Sequence, residues 1–366
     1  MVDVPLQASP AGGLFSRFAA RLNREAWIVA PQFDLPLLIF VPLLTLPIIA
    51  GLYLQIRVVA IGGGLMLAFA HYWSSISFYF WDENKAYHRE RWLAFYGGPL
   101  LLAAVYCLLV GFHIPYIIQF VLFFWNTWHV SRQNCGVLAL YRSRAGVTEP
   151  EQKTGANNAI IAVSTFLAVW NIRTHEEVTA LLAPITPHWA LILKSAAGIV
   201  AAYFVVRLGI ALYRRQARMG VPETAFLAAS LAFFYPYIFM TKSEIATYAM
   251  LLPHYVQYMA LVWLLHRRKF GEAGHGTNKV LRRMSSRLVY LIPALAAVGG
   301  LFYFLNDYSM ATGNHYWFES LYLLIALEHF YLDGLIWSFR RPHVRKTILP
   351  FLTRPPQGLP PQGISP

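Results

Sequence analysis

The chain has 366 residues, 57% of them hydrophobic and 16% aromatic but only 13% charged, with a mean hydropathy of +0.46. A soluble domain of this length is about a quarter charged, and here the few charges lie between long apolar runs instead of along amphipathic stripes. That pattern excludes a water-soluble fold and specifies an all-α, polytopic membrane bundle. The formal net charge of +13 reads as a topological signal, helped by attraction of basic loops to anionic lipid, and implies no nucleic acid partner.

Residues 1–33 read as an interfacial amphipathic arm, with Phe15, Phe18 and Leu22 on one face and Arg17, Arg21 and Arg24 on another. They lack the continuous apolar core and small-residue cleavage site of a signal peptide. At ~20 residues per span, residues 34–341 hold ten expected helices. These lie near 34–55, 58–81, 93–112, 114–141, 157–173, 189–213, 222–241, 246–265, 286–306 and 316–339. Residues 342–366 form an expected cytoplasmic tail, ending in a Pro/Gly-rich stretch from Thr353 to Pro366 that reads as extended or disordered.

Loop charges orient these spans, because Lys and Arg are retained on the cytoplasmic side. One set of loops holds Lys85, Arg89 and Arg91, then Arg142, Arg144 and Lys153, then Arg214, Arg215 and Arg218. The same side takes the Arg267–Arg287 loop and the start of the tail at Arg340, Arg341, Arg345 and Lys346. Opposite loops carry mainly Arg57, Arg173 and Lys242. Both termini are therefore expected in the cytoplasm of a multi-pass protein of a bacterial-type inner membrane. Cys107 and Cys135 fall on different helices, so no disulfide framework is implied.

The histidines carry the functional signal. Of twelve, eight lie in loops or near helix ends, whereas His71, His129, His254 and His329 lie inside apolar runs, where an ionisable group is expensive and marks a functional site. Counting to the first charge at the cytoplasmic end gives 82−71 = 11, 142−129 = 13, 267−254 = 13 and 340−329 = 11 residues. At 1.5 Å per residue these are roughly 16–20 Å, close to half of a ~30 Å hydrocarbon core. All four imidazoles are thus expected in one layer near the midplane, on helices running in the same direction. Each has a polar companion one turn on: Ser75, Gln133, Gln257 and Asp333. A metal-bound imidazole needs such a neighbour for its second nitrogen.

These residues point to a metal held by His71, His129, His254 and His329, with Asp333 and Gln133 as hydrogen-bond partners or weaker ligands. Arg132 would neutralise Asp333 or Glu328, or hold an acidic head group. Imidazole suits iron, copper and zinc. The hard reaction on an apolar molecule in hydrocarbon is oxidation by oxygen, so the expected cofactor is non-haem iron and the expected substrate a lipid or isoprenoid, with an electron donor as a further partner. Aromatics such as Tyr72, Trp125, Trp128 and Trp337 would wall a substrate pocket, although interfacial belts and helix packing account for most of them.

Paired histidine boxes, HExxH, phosphate loops and GxGxxG are all absent from the sequence. Single histidines dispersed on separate membrane helices give a layout similar to that of the retinal-forming carotene dioxygenases of the bacteriorhodopsin-related type. The resemblance is one of layout and carries no residue across. Two other classes remain open: a haem or quinone electron-transfer protein, and a transporter whose histidines, Asp333 and Arg132 form a proton or substrate path.

Overall fold

A computed structural model describes residues 26–53, 63–80, 84–112, 114–146, 150–214, 219–272 and 287–353. Among them every regular element is helical. The longer helices are α1 (Gly63–Phe80), α2 (Gly98–Gly111), α3 (Pro115–Arg144), α4 (Pro150–Ala168), α5 (Trp189–Tyr213), α6 (Val221–Ala232), α7 (Ser243–His266), α8 (Leu288–Ala311) and α9 (His315–Ile336). Most of the interfacial arm (1–25) and the Pro/Gly-rich stretch 354–366 lie outside the described residues.

Among the described residues four helical stretches are long and apolar enough to cross a membrane: Leu93–Gly111, Trp189–Tyr213, Ile245–Phe270 and Leu288–Ala311. The expected count of ten continuous spans is not reproduced, and proline explains two of the differences. A proline has no N–H and its ring collides with the carbonyl four residues back. The expected helix 34–55 contains Pro36, Pro42 and Pro47 and is divided into a wide turn at Leu35–Ile39, a tight one at Val41–Leu44 and a short helix at Thr45–Tyr53. The expected helix 222–241 stops at Ala232, four residues before Pro236, and resumes only as the single turn Pro236–Phe239. Helix α3 differs in the other direction. It starts with proline in its first turn, where no N–H is needed, and runs 30 residues, or ~45 Å, well past the ~30 Å of a hydrocarbon core.

The bundle has a centre and a periphery. Helix α1 packs on α7 and α9, and α9 packs on α3. Outside them α8 covers α1 and α9, α2 covers α9 and α3, and α5 covers α4. Only 6% of the α8 window and 17% of the α5 window is buried, against 72% for Ile245–Phe270, so α7 is central and the other two are outer helices.

Two apolar clusters divide the length of the central helices. One takes Leu122 from α3, Leu252 and Tyr255 from α7, and Leu327 and Phe330 from α9. The other takes Leu138 from α3, Leu261 and Leu265 from α7, and Ile336 from α9. In all three helices the first cluster holds the earlier residues, so α3, α7 and α9 run parallel, and His129, His254 and His329 fall at the junction.

The packed body extends past 34–341 at both ends. Trp27 and Ile28 are buried in the second cluster, as are Val344, Ile348, Phe351 and Leu352 from two short helices at Pro342–Thr347 and Leu349–Thr353. Arginines clamp these ends together. The Arg144 Nε donates to the Trp27 carbonyl (3.0 Å) and its Nη1 to the Thr353 carbonyl (3.1 Å). The Arg268 guanidinium donates to the carbonyls of Phe351, Leu352 and Ile28 at 3.0–3.3 Å. The Asp34 carboxylate accepts from the Ile28 and Val29 amides (2.7 and 3.1 Å). Residues 342–353, the start of the expected cytoplasmic tail, form a packed strap.

Candidate metal centre

Each histidine of the layer comes from a different central helix: His71 from α1, His129 from α3, His254 from α7 and His329 from α9. All four are at least nine-tenths buried. The sequence around them is polar for a membrane helix. Around His129, α3 carries Asn126, Thr127, Ser131 and Asn134, all buried, with Thr127 and Ser131 bonded back to carbonyls of their own helix. Pro253 immediately precedes His254, so α7 lacks the backbone bond that would reach Ala249. Such breaks are tolerated where neighbouring helices shield the backbone, and Ala249 is fully buried.

The four rings form a closed circuit. Centroids are 4.4 Å apart for His71–His329, 5.3 Å for His329–His129, 5.3 Å for His129–His254 and 5.0 Å for His254–His71. Every pair meets edge to face, at 64–82°. One ring nitrogen from each of His71, His129 and His329 lies within 4.8 Å of the other two. Two nitrogens bound to one ion at ~2.1 Å lie at most ~4.2 Å apart, so a small side-chain rotation would bring these three to coordinating distance. His254 stands outside that set of three but beside it.

Hydrogen bonding leaves this circuit unsatisfied. Among the described residues neither nitrogen of His71 or His254 has a hydrogen-bond partner, nor does Nε2 of His129 or His329. A buried polar atom without a partner costs about 1–3 kcal/mol, and here six such nitrogens gather in one place. Imidazole nitrogens facing one another fit a cation better than they fit each other. Buried orphan nitrogens converging from four helices make a donor set that fits a metal ion.

Asp333, one turn beyond His329, closes the site from below. Its Oδ2 lies 3.6 Å from Nε2 of His329 and 4.0 Å from Nε2 of His129. Its Oδ1 accepts from the Tyr258 hydroxyl (2.8 Å), which in turn accepts from Nε1 of Trp337 (2.7 Å). The Tyr258 ring also packs 4.3 Å from that of His71. Sequence reading missed Tyr258. The signal was available, since Tyr258 is four residues from His254 and hence on the same face of α7, but an aromatic at that spacing is indistinguishable from core.

The other expected companions divide. Gln133 is half-buried beside His129, and its Oε1 has no partner among the described residues. Gln257 is turned away, its Nε2 donating to the Leu38 carbonyl (2.9 Å) and so tying down the broken first segment. The side chain of Ser75 lies outside the described residues, whereas Ser74 bonds to the backbone carbonyl of His71 (2.7 Å). Arg132 is exposed, its guanidinium 5.8 Å from the centre of the Trp128 ring, and among the described residues it forms no ion pair with Asp333.

A cleft of about 480 Å³ opens onto the centre from the side of Asp333. His129, Gln133, Tyr258 and Asp333 line it, and Trp125, Trp128, Phe330 and Trp337 wall it. Comparison with protein-family models, with curated proteins and with solved structures finds no match.

Proposed function

We propose that this chain is a membrane-embedded metalloenzyme, a non-haem iron oxidoreductase acting on a lipid or isoprenoid. The observation that carries the reading is the closed circuit of four buried imidazoles with orphan nitrogens and a carboxylate beside it. His71, His129 and His329 would hold the metal, with His254 as a fourth donor. Iron in such a nitrogen-rich site supplies oxygen activation for attack on C–H or C=C bonds.

The chain's own residues do the rest. Asp333, with Oδ2 at 3.6 Å from Nε2 of His329 and 4.0 Å from Nε2 of His129, adds a negative charge beside these ligands that would offset the ion's. Tyr258 and Trp337 hold that carboxylate in place by a chain of two hydrogen bonds. The first apolar cluster, capped by Phe69, Tyr72 and Tyr255, closes the face of the site away from the cleft and excludes water there. The aromatic walls of the cleft give an apolar chain one route to His129. Rings packed edge to face at 4.4–5.3 Å leave no slot for a flat macrocycle, which favours a single ion over haem.

In the same reading the chain crosses the membrane ten times with both termini cytoplasmic. The parallel course of α3, α7 and α9 supports it, as do the basic ends of α3 and α7 at Arg142, Arg144, Arg267 and Arg268. A reporter fused after Arg144 is expected to report cytoplasm and one near His315 the opposite side. A cytoplasmic His315 would sink the ten-span count.

The functional test is metal analysis of the purified protein, joined to oxygen uptake on addition of unsaturated lipid and isoprenoid extracts. Stoichiometric iron and extract-dependent uptake, both lost in His329→Ala and both kept in His343→Ala, are expected. His343 is a fair control because it stacks on Tyr87, remote from the circuit. Full uptake in His329→Ala would end the proposal.

A further inference from the structure

The charge of the cleft narrows what can enter it. It follows α3 from Trp125 to Leu140, 140−125 = 15 residues or ~22 Å. Its 480 Å³ is in the range of a pocket for one small molecule. The half beside the histidines is walled by Trp125, Trp128 and Phe330, while the other half ends at Arg340 and Arg345, with Arg132 between them.

Among the described residues none of these three arginines is in an ion pair. Arg345 gives only its Nε to a backbone carbonyl, that of Phe339 (3.1 Å). Guanidinium groups present paired donors that match a carboxylate or phosphate. The one carboxylate lining the cleft, Asp333, is already bonded to Tyr258 and faces the imidazoles. Beside the histidines, Nε2 of His129 and Oε1 of Gln133 are buried without hydrogen-bond partners among the described residues.

We propose that the cleft binds a single-chain amphiphile with an anionic head, carboxylate or phosphate, its head among Arg132, Arg340 and Arg345 and its chain lying along the tryptophans to His129. The assignment rests on the histidine circuit being the reactive centre, and it sharpens the substrate from lipids in general to anionic ones. A neutral hydrocarbon would engage none of the three guanidinium groups, and a cationic head would be repelled.

The test uses quenching of tryptophan fluorescence by contact with bromine, in purified full-length protein in a non-ionic detergent. The probes are a dibrominated long-chain fatty acid, the alkyl phosphate of the same chain and the corresponding alcohol. Either anionic probe should bind at least about tenfold tighter than the alcohol, and the better of the two identifies the head. In Arg132→Gln/Arg340→Gln the preference should fall to within about twofold, with metal content unchanged. Equal binding of acid, phosphate and alcohol, or an undiminished preference in the double variant, would overturn the proposal. Head-group preference in a wild-type protein that binds no metal would support the cleft and sink the metal reading alone.

Discussion

The outer helices α5 and α8 and the central helices α3 and α7 belong to one chain but are written for different surroundings. Along α5, Leu191, Ile192, Ile199 and Val206 are more than half exposed, and along α8 so are Val289, Ile292, Leu301 and Phe304. That exposure would be a liability in water and is the normal state of a helix facing lipid. The central helices invert the pattern. Asn126, Thr127, His129, Ser131 and Asn134 on α3, and His254 and Gln257 on α7, are all buried. Hydrophobicity therefore marks the outside of this bundle, and polarity marks the place where chemistry can occur.

The largest expected effect comes from breaking the centre. Replacing His71, His129 or His329 by Ala should remove most bound metal and essentially all turnover, because a three-nitrogen set cannot lose a donor and still hold an ion tightly. Replacing His254 tests whether the fourth imidazole is a donor or a neighbour: near-complete metal loss makes it a donor. Comparison at matched detergent-extracted yield separates these losses from misfolding.

The next largest effect is on stability and leaves the centre alone. Arg142 and Glu223 form an ion pair (2.6 Å) with both side chains almost fully buried. Removing one partner of such a pair costs about 3–5 kcal/mol because the other charge is stranded. Arg142→Met should therefore lower the unfolding temperature in detergent markedly while the folded fraction keeps its metal. An unchanged melting curve would show that the pair is open to water.

Asp333→Asn should keep the fold and weaken metal binding or turnover by roughly 10–100-fold, the usual cost of losing a polar group just outside a metal's ligands. Tyr258→Phe removes only the donor that holds the carboxylate, so a loss of about tenfold or less in metal affinity is expected. A Tyr258 variant worse than Asp333→Asn would mean that the hydroxyl acts on the substrate or metal directly. The smallest effect belongs to the outside. Ile199→Ala and Leu301→Ala should change stability by no more than about 0.5 kcal/mol and metal content not at all. A clear loss of metal in either would contradict the division between centre and periphery.

What could be read from the sequence followed the same division. Outer helices were legible because nothing interrupts them: the expected 189–213 is α5 residue for residue. The histidine circuit was legible because four ionisable residues at one depth are rare in apolar runs, and helical rise converts equal spacing into one layer. Prolines hid the breaks in 34–55 and 222–241, since hydropathy does not register them. Loop charges hid structure as well. Arg142, Arg144 and Arg268 read as topological signals, yet one is buried in an ion pair and two clamp the chain ends. The strap 342–353 was illegible because its two helices are too short to show a period, and Tyr258 because its partner, Asp333, is 75 residues away.

The most direct test of the central claim is X-ray absorption at the metal edge of purified, metal-loaded protein, with total metal measured on the same sample and on His129→Ala. The account predicts about one metal ion per chain in a shell of three or four imidazole nitrogens at ~2.0–2.2 Å, and near-complete loss of that ion in the variant. Absence of stoichiometric metal after loading, or an unchanged ion and shell in His129→Ala, would contradict it.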